Sequence, residues 1–220
     1  MEAVKVLIFG ASGGIGTWAV HYALQNGHQV TAYVRHPEKM REDGGRLTVI
    51  QGELTDREKI TQALLGQDAV IWCVGIPMKR SYPGMQSLEG HRVLIQAMKE
   101  QGVRRLIDWG TPSIRSDQDK ASFVTIVPGI LAKLAFPQAK NEMLQIGALL
   151  RTSGLDWTLV RFMAPQNTPY TGNVKVGFGD GGMKFGISRE DIGAFMAEQV
   201  DSSRFIGLMP IIGSERRRRI

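Results

Sequence analysis

Residues 6–30 read VLIFGASGGIGTWAVHYALQNGHQV, and the choice of fold rests on them. The apolar run ending at Phe9 suits a buried strand, a helix is expected over 14–26, and the run from Gln29 to Arg35 suits a second strand. Between the first strand and the helix stand Gly10, Gly13 and Gly16. Small residues at such a junction have separate uses. One permits a tight turn, one lets a pyrophosphate approach the backbone, and one lets the helix pack close to the strand. The helix start then offers unpaired N–H groups and the positive end of a dipole to the anion. Strand, glycine triplet, helix and strand in that order predict a dinucleotide-binding loop, with Ser12, Gly14 and Ile15 as its other contacts.

The same alternation runs outward from this stretch. Strands are expected over 5–10, 29–35, 46–52, 68–75, 104–110 and 156–162, and helices over 14–26, 56–65, 84–101 and 137–152. The strands are apolar nearly throughout, which a sheet covered on both faces requires. The fold class is therefore α/β, a doubly wound parallel sheet of the Rossmann type. One domain is expected over 1–213, with a flexible basic tail over 214–220. Pro137 suits the first helical position and Gly154 the left-handed stop of that helix. Ser188 is expected to cap the last helix, with Asp191 completing a variant capping box. Residues 165–186, rich in glycine, should form loops and a short strand pair that wall the substrate cleft. The segment 116–136 stays open between a lid, a dimer surface and plain packing.

The 220 residues are 43% hydrophobic and 22% charged, an ordinary balance for a globular protein. The net charge is +6, of which Arg216–Arg219 supply four, so the body carries no strong nucleic-acid signal. Cys73 is the only cysteine, which excludes an internal disulfide; within DAVIWCVG it reads as a buried structural thiol. His21, His28, His36 and His91 lack metal-ligand spacing. No charged leader precedes a long apolar run, and FVTIVPGILAKLAF is too short to span a bilayer, so a cytoplasmic location without a membrane partner is expected. Oligomeric state is left open.

A preference for NAD usually shows as an acidic residue about twenty positions after the glycines, held to the ribose 2′-hydroxyl. Here the second strand ends YVRHPEK, with Arg35 and no acid at its tip. A guanidinium there can embrace a 2′-phosphate in a bidentate fork. NADP(H) is therefore expected as the cofactor, with NAD possible.

Together GASGGIG, YVRHPEKM, VIQGELTD, GQDAVIWCVG, GVRRLI, AKNEML, RTSGLDWTLVR and ISREDIGAF carry a family resemblance. Over nearly its whole length the chain resembles an atypical short-chain dehydrogenase/reductase of the NmrA-like and biliverdin reductase B/flavin reductase-like group. The resemblance implies that Glu53 and Leu54 contact adenine, that Val74 and Gly75 run under the riboses, and that Lys140 holds the nicotinamide ribose. It also implies that Thr111, or Ser113 beyond it, offers a hydroxyl where relatives carry paired serines, and that the residues after Arg161, Met163 among them, line the nicotinamide pocket.

In classical members a tyrosine stands four residues before the lysine, and the lysine's charge lets the phenol exchange a proton near neutral pH. This chain has Phe136 there, which cannot transfer one. With Pro137 starting the helix, Phe136 need not face the cleft, and Tyr82 and Tyr170 are the loop phenols that could substitute. Lys140 keeps its orienting role, and positioning alone suits hydride transfer to a flavin, quinone or similar conjugated acceptor. Thr111 and Lys140 are the expected catalytic pair, with Trp109, Phe136, Phe162 and Met163 as apolar walls and a small-molecule acceptor as partner. The rival reading is a non-catalytic NmrA-like dinucleotide sensor. Sugar-nucleotide epimerase or dehydratase chemistry is the weakest, because it leans on the tyrosine.

Overall fold

The computed structural model describes residues 3–40, 45–180 and 182–215. Six parallel strands form the body of the sheet: β1 (Lys5–Phe9), β2 (Gln29–Val34), β3 (Leu47–Gln51), β4 (Ala69–Trp72), β5 (Arg105–Gly110) and β6 (Asp156–Arg161). They stand in the order β3-β2-β1-β4-β5-β6, so the chain reverses direction across the sheet between β1 and β4. In such sheets the crevice beside the carboxyl ends at the reversal is where ligands bind.

The pleat sends alternate residues of each strand to opposite faces. Leu7 and Phe9 of β1 pack toward α2 (Arg57–Leu64), α3 (Gln86–Gln101) and α5 (Pro137–Arg151). Val6 and Ile8 pack toward α1 (Gly16–Gln25) and α6 (Arg189–Glu198). Both faces are buried, which is why the strands read as unbroken apolar runs. The helix ends follow local rules. The Asp56 carboxylate accepts from Lys59 N at 3.1 Å to cap α2, and Gly102 at φ +73° closes α3. Pro137 is the first residue of α5 as expected.

The segment left open at 116–136 contains a helix, α4 (Phe123–Ala135), with Pro128 inside it. Its start is tied down by Ser122 N, which donates to the Thr125 hydroxyl at 3.0 Å. Phe136 ends α4 and begins α5, so the two helices meet at one residue. The approach to α4 is pinned from below. Arg161, at the end of β6 and fully buried, donates to both carboxylate oxygens of Asp119, at 2.8 and 2.6 Å.

The late region departs from expectation. β8 (Val174–Gly177) and β9 (Met183–Lys184) do not pair with each other; both pair antiparallel with β11 (Ile211–Glu215), which itself lies parallel to β6. β11 carries the domain past the boundary expected at 213, and the remainder of the basic segment, 216–220, lies outside the described residues. β7 (Pro165–Gln166) and β10 (Ile187–Ser188) form a separate small parallel pair beside the start of α6. Ser188 caps α6 by accepting from Glu190 N at 3.2 Å. Asp191 does not complete a capping box: its carboxylate accepts from Thr171 N, Thr171 Oγ1 and Gly172 N, and so anchors the loop before β8.

Candidate active site

The glycine loop is shaped by close backbone approach. Gly10 has φ +70°, and a Cβ there would lie 2.8 Å from the backbone of Cys73 and Val74. A Cβ on Gly16 would lie 2.1 Å from the Gly10 carbonyl oxygen, so the first turn of α1 is pressed against the end of β1. Gly13 N donates back to that same carbonyl at 2.9 Å and closes the turn. No side chain caps α1 and no acid stands in its first turn; Thr17 N and Trp18 N donate to the Gly13 and Ile15 carbonyls, which leaves the N–H groups of Gly14, Ile15 and Gly16 for an anion. Gly13, Gly14 and Ile15 line one end of a cleft of about 700 Å³. A glycine turn this tightly packed on its own backbone, leading into a helix start with no side-chain cap, fits a pyrophosphate.

The other proposed adenosine contacts are strung along the carboxyl edge of the sheet on the β2 and β3 side. Arg35 follows β2, is exposed, and uses its carbonyl to accept from Gln51 Nε2 at 3.1 Å. Glu53 is exposed with its carbonyl held by the Tyr33 hydroxyl at 3.0 Å, and Leu54 packs against the core beside Gly90. Ser12 is half-buried in the loop and is not part of the cleft lining. Arg35, Glu53 and Leu54 likewise stand outside the cleft lining.

The cleft is also lined by Gly75, Thr111 and Met163, which follow the carboxyl ends of β4, β5 and β6, and by Lys140 of α5. Lys140 Nζ donates to the Gly129 carbonyl of α4 at 2.8 Å, which leaves two of its three donors for a ligand. Thr111 Oγ1 shares a 2.6 Å hydrogen bond with Ser113 Oγ, so the two candidate hydroxyls form one unit. Trp109 stacks on Phe162 with centroids 5.7 Å apart, and its Nε1 donates to the Val74 carbonyl at 2.9 Å. Phe136 does face the cleft: it lines the wall together with Leu131 and Ala132 of α4. Ala164, also in the lining, is the only non-glycine at positive φ among the described residues, at +45°.

Neither loop phenol reaches this space. The Tyr82 hydroxyl donates to the Glu142 carboxylate at 2.5 Å, and burial followed by that carboxylate pushes its pKa up. Tyr170 is exposed and packs its ring against Tyr22, 5.5 Å away. Cys73 lines the cleft rather than lying wholly in the core, yet burial, aided by the Asp108 charge, pushes its thiol pKa up and so disfavours the thiolate. Asp108 is itself buried and is bonded by His91 Nε2 at 2.8 Å. Among the described lining residues the ionisable side chains are Cys73, Lys140 and Arg189, with no carboxylate, phenol or imidazole.

Sequence reasoning missed Arg189. It stood in ISREDIGAF as part of a helix start, and only tertiary packing brings it to the glycine loop. It also missed Ile76, Met78 and Met143, which line the cleft from loops and α5 and were indistinguishable from core residues.

A parallel sheet that reverses at a glycine-loop crevice defines a nucleotide-binding Rossmann protein. The family follows from comparison with known proteins: the chain belongs to the NAD(P)H-binding family, whose model matches residues 10–203. It is similar to isoflavone reductase homolog P3 of Arabidopsis thaliana, 28% identical over 92% of this chain, and it spans 66% of that relative's length. Two solved structures share its fold. ChuY, an anaerobilin reductase from Escherichia coli O157:H7, superposes with a TM-score of 0.76 at 21% identity, covering 99% of this chain and all of that one. A short-chain dehydrogenase/reductase from Veillonella parvula in complex with NADP superposes at 0.75 and 19% identity, covering 97% and 95%. Among the described residues no helix is long and apolar enough to cross a membrane.

Proposed function

We propose that this protein is an NADPH-dependent reductase that passes hydride to a small conjugated acceptor such as a flavin or quinone. The observation that carries the reading is the lining of the cleft. It joins the glycine loop to Lys140 and to aromatic walls, yet offers no phenol, imidazole or carboxylate to move a proton. Reduction of an isolated carbonyl needs proton and hydride together. A conjugated acceptor can take its proton from water and needs chiefly to be held in line.

The residues divide that work. The N–H groups from Gly14 to Gly16 hold the pyrophosphate, with Gly10 giving the turn its shape. Arg35 takes the 2′-phosphate, while Glu53 and Leu54 border the adenine. Lys140, steadied by Gly129, offers its two remaining N–H groups to the nicotinamide ribose. NADPH, when bound, supplies the hydride. Trp109, Phe136, Phe162 and Met163 press a planar acceptor against it and exclude water. The Thr111–Ser113 pair orients whichever polar atom the acceptor carries. The reductase names borne by the Arabidopsis relative and by ChuY agree with this assignment.

The test is direct. Purified protein is mixed with NADPH and FMN, dichlorophenolindophenol or a quinone, and the nicotinamide absorbance is followed. Turnover above background that falls on the order of tenfold or more in Lys140→Ala supports the reductase, since positioning groups commonly contribute that much. Arg35→Glu should weaken NADPH far more than NADH; equal losses would refute the 2′-phosphate assignment. Tight NADPH binding without turnover on a broad acceptor panel would make the protein a dinucleotide sensor instead.

A further inference from the structure

We propose that Arg189, the first residue of α6, is a side-chain ligand for the coenzyme pyrophosphate and reaches over the glycine loop from the far end of the chain. The inference rests on the coenzyme half of the reading above and is independent of the acceptor.

The first argument is position. Arg189 Cδ and Nε lie 3.0 and 3.2 Å from the point a Cβ would occupy on Gly14, so the arm of the side chain lies across the loop. Arg189 also lines the cleft together with Gly13, Gly14 and Ile15. The loop thus presents N–H groups to the anion from one side and a guanidinium from the other.

Charge balance is the second. Among the described residues, the one hydrogen bond that the Arg189 guanidinium makes goes to a neutral group, Asn167 Oδ1 at 2.6 Å. Both acids beside it in sequence are committed elsewhere: Glu190 accepts from the Tyr22 hydroxyl at 3.1 Å, and Asp191 holds Thr171 and Gly172. The cleft lining contains no carboxylate. A half-buried guanidinium without a counter-ion among the described residues, beside a helix start with no side-chain cap, is a site prepared for a doubly charged anion. Its planar fork can take one oxygen from each phosphate, which a lysine could not match.

Rigidity is the third. α6 packs so tightly on α1 that a Cβ on Gly193 would lie 2.5 Å from Trp18 Cβ, and the β7–β10 pair holds the chain just before α6. Arg189 is therefore delivered to the loop by a fixed scaffold, at little ordering cost on binding.

The experiment is calorimetric titration of wild type, Arg189→Ala and Arg189→Lys with NADPH, NADH and 2′-AMP. Loss of a charge-assisted bidentate contact should weaken NADPH and NADH alike, on the order of 10- to 100-fold, because both carry the pyrophosphate. 2′-AMP, which lacks it, should bind Arg189→Ala as it binds wild type. Arg189→Lys should recover part of the loss. An unchanged NADPH affinity in Arg189→Ala overturns the inference while leaving coenzyme binding intact. A loss that extends equally to 2′-AMP, or a lowered melting temperature of the variant, also overturns it by exposing a general fold defect. If wild type binds neither dinucleotide, the coenzyme reading itself falls.

Discussion

The two long walls of the cleft are built on opposite rules. On the β1–α1 side, backbone touches backbone, and Gly10 and Gly16 leave no space for even one carbon. Across the cleft, α4 lines the cavity with Pro128, Leu131 and Ala132. Leu131 faces the cavity while 54% exposed, and the outer surface shows Phe123, Ile126, Ile130 and Leu134. The first wall has one sequence solution; the second can be made from many apolar residues. On the function proposed above, the difference teaches that the coenzyme end would be fixed by geometry, whereas the acceptor end would be free to vary in shape and hence in substrate.

Four substitutions break or sharpen this contrast. Gly16→Ala should have the largest effect, since its Cβ meets a backbone oxygen at 2.1 Å and α1 must move. We expect a loss of at least about 3 kcal/mol in denaturant unfolding, together with loss of NADPH binding. A stable, binding variant would show the loop to be less constrained than its geometry implies. Asp119→Ala tests whether the α4 side has a fixed foundation despite its variable surface. It strips the partner from buried Arg161 and should cost about 3 kcal/mol, again by denaturant unfolding. A loss below about 1 kcal/mol would mean that the entry to α4 is not anchored there.

Ala164→Gly should act in the opposite direction. At φ +45° an alanine is strained, and a glycine relieves that strain at a smaller entropic loss, so the melting temperature should rise, by about 1 kcal/mol of stability. Because Ala164 lines the cleft, the same variant should lower turnover. A gain in stability with full activity would show that the strain has no role in positioning. The smallest effect is expected of Phe136→Tyr. Stability should stay within about 0.5 kcal/mol, and quinone reduction within about threefold, because no step proposed here waits on a phenol. A large gain in carbonyl reduction would show that the lysine had retained its old partner's geometry.

The sheet was legible because its strands obey one burial rule throughout, and the loop because glycine at fixed spacing has so few substitutes. Expected strand positions such as 29–35 and 156–162 agree closely with β2 and β6. α4 was hidden for a physical reason: Pro128 and Gly129 look like breakers inside the apolar run FVTIVPGILAKLA. β11 is a five-residue run just before a basic stretch and earns its place only by pairing with β6, β8 and β9. Phe136 could be named but not oriented, because its direction depends on how α4 meets α5. Arg189 lies far from the glycine loop along the chain, and no local pattern announces a side chain that acts at that distance.

The placement of β11 also governs the order in which the molecule can be completed. Residues 211–215 are an inner member of the sheet, with β6 on one flank and β8 and β9 on the other. During synthesis the β1–β6 core can assemble as it leaves the ribosome, but β8 and β9 have no strand to join until residues 211–215 emerge. A stalled or prematurely stopped polypeptide would therefore hold a finished coenzyme loop beside an open β6 border, an invitation to pair with a neighbouring copy.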